Sequence, residues 1–310
     1  MRRGTWYHVF YITNNCKRYQ FMNFKIGIVG LGNMGESFSA CLNKAFILKA
    51  YDISPEVREK KGKDLNIVGS LKELHQQSDV IMLSLPGSPQ VERVVEDLLK
   101  MGVSGKTIID LSTSYPISNQ KLSEKVTEAG GRFLDAPVSG NKETAARGEV
   151  ITMVGGEKGV FEELLPVFNH ISSKVNYVGG PGQGNTMKIA IVYLSVMNTI
   201  LSAELIPFME KMGMDTSLYR DMVGGSGGNS KNFMNYSKRM IEHDFHRAYK
   251  IDLANKDLGY MQQLFADVGV EGILVDAGAA FLKRAVKEGL GNSDIAEMVR
   301  IKRNEYELED

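Results

Sequence analysis

The sequence predicts an α/β fold: a doubly wound, Rossmann-type domain with a mostly parallel sheet, followed by an all-α C-terminal domain. Three observations predict it. Short β-rich runs alternate with helical patterns from Phe24 to about Val178, and that alternation implies parallel strands with helices on both faces. A glycine loop follows the first run directly, and after Gly184 strand signals give way to long helical segments.

The expected strands are 26–29, 48–51, 80–85, 107–111, 133–135, 151–154 and 175–178. Several are apolar at nearly every position, as strands covered on both faces should be. Ser54-Pro55-Glu56 reads as a helix start, with a capping hydroxyl, proline at the first helical position and an early acid. The segment 185–212 is apolar almost all round from Ile189 to Ala203, but Lys188 and Glu204 bracket that run too tightly for the roughly 20 uncharged residues of a membrane span. It reads instead as a buried helix on which both domains and a second subunit pack, with Pro207 expected to kink it. The divisions are an appended leader or extension at 1–22, a dinucleotide-binding domain at 23–184 and a helical substrate and dimerisation domain at 185–310.

Composition narrows the function classes. Lysine plus arginine and aspartate plus glutamate number 37 each in 310 residues, so no global charge bias points to nucleic acid or an anionic membrane. Cys16 and Cys41 form no CxxC, which describes a reducing compartment: cytoplasmic, or an organellar matrix if residues 1–21 are a transit leader. His243 and His246 lack a ligand cluster around them, and no metal is expected.

The loop Gly30-Leu31-Gly32-Asn33-Met34-Gly35 matches GxGxxG behind an apolar strand. Its first glycine permits a tight turn, the second lets backbone N–H groups approach a pyrophosphate, and the third allows close packing of helix on strand. Asp52 falls 22 positions after Gly30, where an acid accepts hydrogen bonds from ribose hydroxyls and repels a 2′-phosphate. NAD is therefore favoured over NADP, with Arg58 on the next helix the one feature pointing the other way. Leu85-Pro86 and Ser112-Thr113 end strands, where ligands of doubly wound sheets sit. The loop 224–229 lies between helices, either as a mobile flap above the cleft or as a plain linker.

Asp135-Ala136-Pro137-Val138-Ser139-Gly140, with Ala145, Gly148 and Met153-Val154-Gly155-Gly156, resembles the substrate signature of the β-hydroxyacid dehydrogenases. Together with the GLGNMG loop, Gly182-Gln183-Gly184 through Lys188, and Lys256-Asp257-Leu258, the resemblance covers about residues 25–301 and is nearest the 3-hydroxyisobutyrate dehydrogenase and tartronate semialdehyde reductase branch. It implies that Ser139 and Gly140 bind a substrate carboxylate, that Lys188 is the catalytic acid/base, and that Leu85, Pro86, Thr113 and Lys256 contact the cofactor. It also implies a homodimer or homotetramer. The substrate would be a small carboxylate-bearing hydroxyacid or semialdehyde.

Chemistry supports the lysine, since removing hydride from an alcohol requires a base for the hydroxyl proton, and burial can bring an amine toward neutrality. The sequence also departs from the family pattern. Val192 stands where an asparagine is common, Asn141 replaces a glycine, and Glu143 replaces a small residue. Two alternatives stay open: an NADPH-dependent reductase of glyoxylate or succinic semialdehyde, and a dinucleotide-binding scaffold without turnover.

Overall fold

The computed structural model describes residues 24–246 and 248–308. The expected leader, with Cys16, lies outside the described residues.

Eight strands form one sheet: β1 (Lys25–Val29), β2 (Ile47–Tyr51), β3 (Val80–Leu83), β4 (Thr107–Asp110), β5 (Arg132–Asp135), β6 (Val138–Ser139), β7 (Val150–Gly156) and β8 (Ser172–Gly179). Between them run α1 (Asn33–Leu42), α2 (Pro55–Lys61), α3 (Leu71–Gln76), α4 (Ser88–Met101), α5 (Pro116–Glu128), α6 (Lys142–Ala146) and α7 (Lys158–Ile171). The order is β2-β1-β3-β4-β5-β7-β6, with β8 paired to β7. Neighbouring strands from β2 through β5 pair in parallel. Every residue of β3 and β4 is buried, which suits the continuous apolar sequence of β3 and the Ile108-Ile109 centre of β4 beneath helices on both faces. Chain direction across the sheet reverses between β1 and β3, and that switch opens a crevice beyond the carboxyl strand ends.

The far edge of the sheet departs from a purely parallel arrangement. β7 runs antiparallel to β5 and β6 but parallel to β8. β6 was not expected from the sequence because two residues after Pro137 carry no periodic signal; its pairing with β7, Ser139 opposite Ile151, defines it. The predicted start of α2 is present, with Ser54 Oγ accepting from Val57 N at 3.2 Å.

Helices alone follow: α8 (Gln183–Lys211), α9 (Thr216–Gly224), α10 (Lys231–Ile241), α11 (Ile251–Asp267), α12 (Ile273–Lys287) and α13 (Val299–Glu305). The 29 residues of α8 span about 43 Å at 1.5 Å per residue. This helix is long and apolar enough to cross a membrane by length and composition. Here it is the centre of the second core, where Val192, Val196, Ile200, Ala203 and Ile206 pack with Leu258, Ala279 and Leu282. It remains one helix through Pro207 rather than ending there.

Candidate active site

The glycine loop leaves β1 and enters α1 with three different environments at its three glycines. Gly30 has φ +93°, and a Cβ there would collide with Ser84 O. A Cβ on Gly35 would run into Gly30 O, so α1 can seat on β1 only without one. Gly32 faces open space, with nothing within 4 Å of a Cβ position. Together with the free N–H groups of the first turn of α1, this is a cradle into which a pyrophosphate fits.

Asp52 closes the loop from the side. Its Oδ2 accepts from Leu31 N at 2.7 Å and its Oδ1 from Ser54 N at 2.9 Å. Arg58 is turned back on its own turn, donating to Asp52 O at 2.6 Å and Ile53 O at 3.1 Å, 5.5 Å from the Tyr51 ring centre. The guanidinium is thus already committed to backbone carbonyls.

Across the crevice, α11 reaches over from the helical domain. Lys256 Nζ donates to Pro86 O at 3.0 Å and Thr113 O at 2.9 Å, joining the turns after β3 and β4. Tyr260, one helical turn on, accepts from Ser88 N at 3.1 Å, and its ring lies 5.8 Å from that of Tyr115. Ser88 Oγ in turn accepts from Tyr115 N at 2.6 Å. Leu85 N donates to Ser112 Oγ at 2.9 Å, which fixes the two turns against each other.

Lys188 lies on the second turn of α8, half-buried. Burial pushes its pKa below the ordinary lysine value; the Asp257 carboxylate opposes that shift and Lys256 reinforces it. Ile191 and Val192, one turn further along, offer the amine no polar partner. Among the described residues Lys188 makes no hydrogen bond or ion pair.

A buried polar network holds the start of α8. Asp135 accepts from Gly182 N at 2.8 Å and Asn185 N at 2.7 Å, placing a carboxylate on the helix N-terminus, where N–H groups are otherwise orphaned. Asn185 Oδ1 accepts from Ser114 N at 2.9 Å, and its Nδ2 donates to Asn119 Oδ1 at 2.9 Å. Asp110 accepts from Ser112 N, Ser114 Oγ and Asn119 Nδ2 at 2.9, 2.7 and 2.9 Å. Burial pushes both carboxyl groups up, Asp135 to about 6, against the lowering effect of these hydrogen bonds.

The family comparisons agree with this architecture. Residues 25–179 match the model for the NAD-binding domain of 6-phosphogluconate dehydrogenase. Residues 182–302 match that for the NAD-binding domain of NADP-dependent 3-hydroxyisobutyrate dehydrogenase. The chain is 34% identical to 2-hydroxy-3-oxopropionate reductase of Escherichia coli (strain K12) over 243 residues, 77% of this chain and 83% of that protein. The chain belongs to the β-hydroxyacid dehydrogenase family. It is also 31% identical to mitochondrial 3-hydroxyisobutyrate dehydrogenase of Mus musculus, over 69% of this chain and 65% of that one. Mycobacterium tuberculosis 3-hydroxyisobutyrate dehydrogenase, solved with L-serine, superposes with a TM-score of 0.85 at 25% identity, covering 91% of this chain and all of the other.

As a β-hydroxyacid dehydrogenase, the chain assembles its predicted residues in two groups. Gly30 through Gly35 and Asp52 meet directly through Leu31 N, while Lys256, Pro86 and Thr113 meet through the lysine ammonium. Lys188 joins the second group electrostatically, through Asp257 and Lys256. Ser139, half-buried, and Gly140, exposed, lie just beyond β5, whose last residue Asp135 anchors α8. Asn141 is a helix cap: its Oδ1 accepts from Thr144 N at 3.0 Å, and Thr144 Oγ1 accepts from Asn141 N at 2.9 Å. Sequence reasoning missed Tyr260, Tyr249 and the Asp110–Asn119–Asn185 network. The only signals for them were a tyrosine one turn after Lys256 and an asparagine three residues before Lys188.

Proposed function

We propose that this β-hydroxyacid dehydrogenase transfers hydride between NAD and a small carboxylate-bearing hydroxyacid of the 3-hydroxyisobutyrate type, with Lys188 as acid/base. The observation that carries the reading is the Lys188 amine: half-buried, without a hydrogen bond or ion pair among the described residues, and within electrostatic reach of the lysine that ties α11 to the crevice. When bound, the nicotinamide supplies the hydride acceptor for oxidation and the donor for reduction. Neutral Lys188 takes the hydroxyl proton in oxidation, and its ammonium returns one to the carbonyl oxygen in reduction. Ser139 Oγ and the N–H groups around Gly140 donate to the carboxylate. The loop 30–35 holds the pyrophosphate and Asp52 the ribose hydroxyls. Its negative charge, with Arg58 occupied by backbone carbonyls, disfavours a 2′-phosphate.

Lys188→Ala is expected to lower turnover by about 10²–10⁴ while leaving NAD affinity nearly intact. The assay pairs each nicotinamide cofactor with 3-hydroxyisobutyrate, glycerate, 4-hydroxybutyrate and glycolate. Unchanged turnover in the variant rejects the role.

The same reading includes self-association. Leu194 and Leu201 on α8, Met222 on α9, and Ile273 and Leu274 on α12 are exposed apolar side chains, and a second copy is the occupant that an isologous contact through α8 supplies. Light scattering on the eluting protein is expected to give a multiple of 34.4 kDa, and the monomer mass alone contradicts the assembly.

A further inference from the structure

One carboxylate stands among three of the groups around the cleft. Asp257 is 5% exposed. Its Oδ1 lies 3.0 Å from Lys256 Nζ, and its Oδ2 accepts from Tyr249 Oη at 2.6 Å. Lys188 is within electrostatic reach of the same carboxylate but makes no ion pair with it. Oδ1 makes its ion pair without a hydrogen bond, so among the described residues the Tyr249 hydroxyl donates the one hydrogen bond this carboxylate side chain accepts.

We propose that Tyr249 is a positioning residue: its hydroxyl pins Asp257 toward Lys256 and thereby keeps the carboxylate from pairing directly with Lys188. The proposal rests on the acid/base reading of Lys188. The surrounding groups leave few other partners for a released Asp257 oxygen. Lys256 is already held by the carbonyls of Pro86 and Thr113. From α10, Arg239 faces Asp294, 3.0 Å away, and also donates to Asp244 O. Tyr236, on the same helix, is a phenol pushed up to about 12 by burial and by Asp294. Burial and then Asp257 raise the Tyr249 phenol well above its ordinary value, so it stays a donor throughout the working range. Lys188, which makes no hydrogen bond or ion pair among the described residues, is the cation within electrostatic reach of Asp257 that remains to take it.

If the Tyr249 hydroxyl is removed, Asp257 Oδ2 becomes a buried acceptor without a donor, a state that favours rearrangement toward the nearest available cation. A direct Asp257–Lys188 pair holds the proton on Lys188 more tightly. The base is then neutral only at higher pH.

The test uses the full chain carrying Tyr249→Phe, a change that keeps the ring and removes one oxygen. Trace acetylation by acetic anhydride, read at Lys188 by mass spectrometry as a function of pH on protein without added ligand, reports the neutral amine independently of turnover. The midpoint for Lys188 is expected to rise by about one pH unit in Tyr249→Phe, and the acidic limb of kcat/KM for oxidation to rise with it. Turnover at neutral pH falls about tenfold and recovers on the alkaline side. In the double variant Tyr249→Phe, Asp257→Asn the midpoint returns to or below the parent value, because no carboxylate remains to capture the amine. Superimposable labelling curves for parent and Tyr249→Phe overturn the proposal, as does a shift that persists in the double variant. Full turnover in Lys188→Ala removes the acid/base reading alone, since the labelling midpoints still decide whether Tyr249 restrains Asp257.

Discussion

At the end of the crevice proposed to hold the adenosine, Leu31 N meets Asp52 across 21 residues of chain, whereas at the proposed catalytic end Lys256 reaches Thr113 across 143 and Pro86 across 170. The first end is made of backbone N–H groups whose placement depends on having no side chain at Gly30 and Gly35, with the space beside Gly32 left open. The second is made of the Lys256 side chain of α11, which meets the turns after β3 and β4, with Lys188 of α8 within electrostatic reach of it. One end is therefore most sensitive to added atoms. The other is most sensitive to lost polar contacts and shifted charge.

The sharpest way to break the first half of that comparison is to add a methyl group at two positions of the same loop. Gly35→Ala places Cβ against the Gly30 carbonyl, which is backbone and cannot swing aside. It is expected to destabilise the protein by about 1–3 kcal/mol, seen in urea unfolding, and to abolish measurable NAD binding. Gly32→Ala adds the same methyl to open space. Stability should stay within about 0.5 kcal/mol of the parent, while NAD affinity falls tenfold or more because the cradle is filled. Equal unfolding midpoints for the two variants contradict this account of the loop.

The difference between the two ends also explains what the sequence made legible. The loop, Asp52 and the cap at Ser54 are local patterns in which spacing along the chain is spacing in the fold, and each was readable in advance. Lys188 was readable as a chemical requirement and through family likeness, but its environment was not, because Asp257, Tyr249 and Lys256 come from a segment more than 60 residues on. Asp110, Asn119, Asp135 and Asn185 sit on β4, α5, β5 and α8, and no periodicity links four polar residues from four elements. Asn141 shows the opposite error, in which a departure from the family pattern is a local device. It starts α6 with reciprocal side-chain and backbone bonds, a reading that requires knowing that a helix begins there.

A smaller effect sharpens the adenosine end. The Asp52 carboxylate is bound to Leu31 N and Ser54 N by contacts that a neutral amide can only partly reproduce. Asp52→Asn removes the charge facing a 2′-phosphate while keeping the side-chain shape. The ratio of kcat/KM for NAD over NADP is expected to fall about tenfold, equivalent to about 1.4 kcal/mol. A ratio that does not change means that Asp52 does not carry the discrimination, and the Arg58 side is then the place to look.

A pH-dependent effect tests whether the catalytic end includes the strand-end network beneath α8. Asp135 is held up to about 6 by burial, above the ordinary aspartate value of 3.8. A carboxyl group whose pKa is higher in the folded state binds its proton more tightly there than in the unfolded chain. Its stabilising contribution is therefore fully present below about pH 4 and is lost as pH rises through about 6. Asp135→Asn does not titrate, and its amide nitrogen would face one of the two N–H groups that Gly182 and Asn185 now donate. Subtracting the variant's unfolding free energy from the parent's at each pH cancels the other carboxylates that the two proteins share. That difference is expected to decline by about 2–3 kcal/mol between pH 4 and 7. A difference that rises with pH instead assigns Asp135 the behaviour of an ordinary ion-paired carboxylate. In that case the helix N-terminus and its hydrogen bonds outweigh desolvation, and the start of α8, with Lys188 on its second turn, is held by charge.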